Sequence, residues 1–74
     1  MPASTVIVQF RDGSPASYRQ VVLGFPGGLT RSYFTDRDGR AIVEHASTGW
    51  AAVYVSGDRC ESFHAPGKVV VVLR

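Results

Sequence analysis

The chain has 74 residues, 45% of them hydrophobic and 19% charged, with a formal net charge of +2. That length holds one domain, residues 1–74, near the lower limit for a core that is stable unaided, and the apolar share is too high for a disordered chain. The lone cysteine, Cys60, excludes an internal disulfide framework, and the arginines are dispersed among acids and turns rather than gathered into the basic run of a nucleic-acid-binding face.

Apolar residues recur at every second position, and clusters of Gly, Pro, Asp and Ser interrupt them every 8–12 residues or so, the pattern of a sandwich or barrel. Val6, Val8 and Phe10 alternate in a first strand that ends at Asp12-Gly13-Ser14-Pro15. Val21, Leu23 and Phe25 form a second, stopped by Pro26-Gly27-Gly28. A third is expected from about Leu29 to Thr35. Asp36-Arg37-Asp38-Gly39 then supplies the positive φ of a tight hairpin and leads to a fourth with Ala41 and Val43. After a loop from His45 to Gly49, Ala51, Val53 and Val55 share one face of a fifth strand, with Trp50, Ala52 and Tyr54 on the other. Ser56-Gly57-Asp58 turns into a short strand around Cys60 to Phe63, and Ala65-Pro66-Gly67 leads to the last, Lys68 to Leu73. One face per strand predicts a core of Val6, Val8, Phe10, Val21, Leu23, Val43, Val53, Val55, Val69, Val71 and Leu73. Each of the large side chains contributes about 1.5–3 kcal/mol when fully buried.

MPASTVIVQF lacks a basic segment followed by a long apolar stretch, and the longest apolar run, Val69 to Leu73, is far short of a membrane span. With the single cysteine, this leads us to expect a cytoplasmic protein with no membrane partner.

The spacing Asp12-Gly13-x-Pro15, Val21-x-Leu23, Thr35-Asp36-x-x-Gly39-x-Ala41, Gly49 and Val53-x-Val55-x-Gly57 resembles the carboxypeptidase regulatory-like domains, which belong with the CnaB-type and transthyretin-like (prealbumin-like) sandwiches. The resemblance implies an all-β fold, a small seven-stranded antiparallel Greek-key sandwich. It is nearly silent on function, because that architecture carries adhesin stalks, enzyme accessory domains and sugar-binding modules. Two chemistries known among such domains do not fit these residues. An isopeptide crosslink needs a first-strand lysine and usually an asparagine, but the chain has no asparagine and its one lysine is Lys68. The transthyretin-like hydrolases end in Tyr-Arg-Gly-Ser, where this chain ends in Val-Val-Leu-Arg.

Other constellations read as structural. Asp36-x-Asp38-Gly39 lacks the further oxygen ligands of a calcium loop, and Asp side chains there are expected to bond nearby backbone amides. Cys60, Glu61, His64 and the distant His45 lack the paired short spacing of a zinc site. We read them as a small buried cysteine with two loop histidines. No catalytic, metal or cofactor site is expected, and the chain is read as a non-enzyme.

The surplus that remains is apolar: Ile7, Val22, Phe34, Ile42, Trp50, Tyr54, Val70 and Val72 fall on the face not assigned to the core. An outer sheet face should be mostly polar. The valine-rich last strand suits burial on both sides or pairing across an interface. The expected function is therefore a non-catalytic protein-binding or assembly module, with a protein partner or a homo-oligomer. Its surface would be drawn from Trp50, Tyr54, Phe34, Val70 and Val72. The alternative is a carbohydrate-binding module, since Trp50 and Tyr54 lie roughly 13 Å apart along one strand face. Nucleic acid, supported only by a sequence pI of about 9.1, is disfavoured.

Overall fold

Period-two alternation becomes eight strands in the computed structural model, which describes residues 2–73. They are β1 (Ala3–Phe10), β2 (Gln20–Phe25), β3 (Gly28–Leu29), β4 (Tyr33–Phe34), β5 (Arg40–Glu44), β6 (Gly49–Val55), β7 (Asp58–Ala65) and β8 (Lys68–Leu73). Two sheets form. A three-stranded sheet has the order β5-β1-β8, and the other has the order β3-β2-β6-β7, with β4 also pairing β2.

The alternating residues meet between the sheets. Val6, Val8, Val21, Leu23, Val43 and Val53 are fully excluded from solvent, and Val55, Val69 and Val71 nearly so. Phe10 and Leu73 pack half-buried at the margin. Ala16, Phe25, Ala41, Ala51, Phe63 and Ala65 complete the core beyond the residues expected.

The structure departs from the sequence pattern in three places. The third run breaks into β3 and β4, because Thr30 takes over the ladder with its side chain. Its N–H donates to the Leu23 carbonyl at 2.9 Å, and its Oγ1 accepts from the Leu23 N–H at 3.1 Å. Hence there are eight strands, not seven. The Asp36–Gly39 turn is not a hairpin between neighbours, since β4 lies in one sheet and β5 in the other. It is a tight corner between them. Asp36 Oδ1 accepts from the N–H groups of Asp38 and Arg40 at 2.8 and 3.0 Å, as the turn chemistry predicts. Gly39 has a φ of 78° and its carbonyl accepts from the Val8 N–H at 2.7 Å. Finally, the ladders are not all antiparallel: β1 and β8 run parallel, Thr5 beside Lys68 through Phe10 beside Leu73.

Side chains close the loops. The buried Thr35 Oγ1 donates to the Ala16 carbonyl at 2.7 Å and accepts from the Arg19 N–H at 2.8 Å, holding the β1–β2 connection against β4. Between β6 and β7, Ser56 and Gly57 both have positive φ (51° and 88°), the signature of a two-residue hairpin turn whose twist matches the flanking strands.

Candidate functional site

The residues expected to form one surface lie on two. On the outer face of the three-stranded sheet, Val70 is directly opposite Ile7, and Ile7 is flanked on its other side by Arg40. Val72 and Ile42 extend this aliphatic area diagonally, and Val70, Val72 and Ile42 are 44%, 51% and 58% exposed. β8 is therefore not buried on both sides. It ends its sheet, with its inward valines in the core and its outward ones in solvent.

Trp50, Tyr54 and Phe34 lie on the outer face of the other sheet. Trp50 is opposite His64, and the rings meet edge-on at 5.9 Å. Tyr54 is half-buried opposite Val22, and its ring lies diagonally over Gly24, where an added Cβ would sit 2.9 Å from Tyr54 Cε1. Leu29, more exposed than any of the expected surface residues at 72%, also belongs here. Alternation alone did not mark it, because β3 is too short to show a period. Phe34 is on β4, opposite Gln20.

Cys60 is exposed, contrary to the expectation of a buried thiol. The pairing shifts between Val53–Glu61 and Tyr54–Arg59, leaving Cys60 as the extra residue of a β-bulge. Its thiol donates to the Asp58 carbonyl at 3.2 Å. His64 is a strand residue of β7 rather than a loop residue, and His45 is a buried one.

The buried polar pair that sequence reasoning missed is Ser4 with His45, 1% and 3% exposed. His45 Nδ1 lies 2.7 Å from the Ser47 carbonyl, which can only accept. The proton therefore sits on Nδ1, and Nε2 accepts from the Ser4 hydroxyl at 2.8 Å. Ser4 Oγ in turn accepts from the Gly67 N–H at 3.2 Å, and the His45 N–H donates to the Pro2 carbonyl at 3.0 Å. A hydroxyl on an imidazole has the form of a nucleophile and its base. Here both groups are buried, and their hydrogen bonds join three chain segments at one end of the sheets. The signal was present in the parity: Ser4 continues Val6 and Val8 inward, and His45 continues Ala41 and Val43.

Among the described residues, depressions flank the core. One of about 250 Å³ lies beside Phe25, Leu29, Tyr33 and His45. The other, about 580 Å³, opens between Phe10, Arg19, Arg59, Cys60 and Leu73, and there the Arg19 guanidinium sits 5.5 Å from the centre of the Phe10 ring. Among the described residues, no three His, Cys, Asp or Glu side chains come together in a group that could hold a metal ion. No helix there is long and apolar enough to cross a membrane. No family model matches the chain, and neither a curated protein nor a solved structure gives a significant match.

Proposed function

We propose that this chain is a non-catalytic protein-binding or assembly module that docks through the outer face and free edge of its three-stranded sheet. The observation that carries the reading is the position of β8. It is an edge strand with a single charge, at Lys68, and its outward valines are continuous with Ile7 and Ile42. Sheet edges ordinarily carry charges, prolines or bulges that block pairing. β8 has none along Val69–Leu73, whereas β7, the edge of the other sheet, carries a bulge and the charged residues Asp58, Arg59 and Glu61.

A transthyretin-like sandwich of the carboxypeptidase regulatory-like or CnaB kind is the framework we infer for this module. Its support is the spacing of the turn motifs, together with two sheets that place the first and last strands side by side. With β3 and β4 taken as one interrupted strand, the count is seven.

Sedimentation velocity over a range of concentrations, with capture on the immobilised chain, tests the proposal. A species heavier than one 8.0 kDa chain, or a stoichiometric protein partner, is expected. A monomer at every concentration with nothing captured contradicts it.

A carbohydrate-binding role is favoured by one observation, the 67% exposure of Trp50 on the outer sheet face beside His64. Titrating oligosaccharides against Trp50 fluorescence tests it. A saturable response that Trp50→Ala abolishes supports sugar binding, and no response to any glycan removes the reading.

A further inference from the structure

The hydrogen-bond pattern of β8 specifies what can pair with its open side. The Thr5 N–H donates to the Gly67 carbonyl at 2.9 Å, and the parallel register runs on from Thr5 beside Lys68. In a parallel ladder, alternate residues turn both backbone groups to the same side. Val69 and Val71 thus face β1, while the N–H and C=O groups of Lys68, Val70 and Val72 face outward from the edge.

We propose that the occupant of this edge is the β8 strand of a second copy, running antiparallel, with the two-fold axis beside Val70. This rests on the assembly reading above and names its partner. The outward groups at 68, 70 and 72 are symmetric about 70. An inverted copy therefore sets Val70 against Val70 of the second copy, and Lys68 and Val72 of each against Val72 and Lys68 of the other. Every outward donor then meets an acceptor, giving six hydrogen bonds across an isologous contact. A slip of one residue would set outward groups against inward ones, so the register can change only in steps of two, and centring on Val70 pairs all three outward residues of each strand.

The side chains fit the same arrangement. Residues directly opposite share a face, so the row Arg40, Ile7, Val70 continues into Val70, Ile7, Arg40 of the second copy. Its middle is aliphatic and its ends are charged. The two Lys68 ammonium groups stand four residues apart along the paired strands, roughly 13 Å, beyond the screening length of about 8 Å at physiological salt. Each aliphatic lysine stem lies across a Val72. Lys68 is the one charge of β8, and it stands at the end of the paired run rather than at its centre.

The test is a directed crosslink. Opposed residues of a hydrogen-bonded antiparallel pair have Cα atoms about 5.5 Å apart, within disulfide range. In a Cys60→Ser background, Val70→Cys should oxidise to a covalent dimer. Ser62→Cys, exposed on the edge strand of the other sheet, should remain monomeric. Val72→Pro removes an outward donor without touching the β1 ladder, and should weaken the non-covalent dimer roughly tenfold or more. A dimer that neither crosslinks at 70 nor responds to Val72→Pro overturns pairing through β8 and leaves the assembly reading standing. A monomer that takes up a different protein, in a manner sensitive to Val72→Pro, overturns only the second copy as occupant. A monomer that binds nothing overturns both.

Discussion

Ser4 Oγ and His45 Nε2, 41 residues apart in sequence, lie 2.8 Å apart in the buried end of the molecule. The bond fastens the start of β1 to the segment after β5, and through the Gly67 N–H it also fastens the turn before β8. Because β8 is held on one side only, by β1, the position of its first residue depends on this fastening.

Ser4→Ala should orphan both His45 Nε2 and the Gly67 N–H, at about 1–3 kcal/mol for each buried group left unpaired. His45→Phe keeps an aromatic ring near Phe25, whose centroid is 5.2 Å from that of His45, and leaves Ser4 its Gly67 partner. The double variant should be less destabilised than the sum of the two singles, because they share one bond. Urea unfolding of the four proteins measures the coupling, and strict additivity would count against the pairing.

Gly39→Ala should be among the most damaging single changes in the loops. The added Cβ would collide with the Val8 carbonyl oxygen, at a φ of 78°. Strain and overpacking together cost about 3 kcal/mol or more. Gly13→Ala has a similar φ of 91° but nothing within 4 Å of the new Cβ, so it should cost only about 1–2 kcal/mol. Comparing the two denaturation midpoints separates backbone strain from collision.

Asp12 should contribute a small acid-sensitive stabilisation. The Ser14 hydroxyl and Ser14 N–H donate to its Oδ1 at 2.6 and 2.9 Å, and hold the carboxyl below its ordinary value of 3.8. A lowered folded-state pKa stabilises above the unfolded value and is lost as pH falls through the folded one. The stability gap between the native chain and Asp12→Asn should therefore be widest at neutral pH and close below about pH 3.8. Paired urea titrations at pH 7 and in acid check this, and a gap that widens in acid would contradict it.

The alternation exposed most of the core because parity is a local property. Val6 and Val8, Val21 and Leu23, and Val69 and Val71 needed no knowledge of their partners. The assignment of outward residues to one sheet or the other was not local. Val70 and Trp50 have the same pattern in sequence, and only pairing across long separations, as of Thr5 with Lys68, puts them on different faces. Cys60 escaped because a bulge adds one residue and breaks the period. The third run escaped because the side chain of Thr30 competes with the backbone. Ser4 and His45 carried the correct parity, but polar residues at inward positions disclose themselves only when both partners are known.

The most direct measurement is residue-resolved amide exchange at low and high protein concentration. Val69 and Val71, bonded to β1, should be protected at both. Lys68, Val70 and Val72 should exchange freely when dilute and become protected as the chain associates. Protection that appears at these three positions, and not along β7, is the expected result. Unchanged exchange at Lys68, Val70 and Val72 in a sample shown to have associated would contradict assembly through this edge.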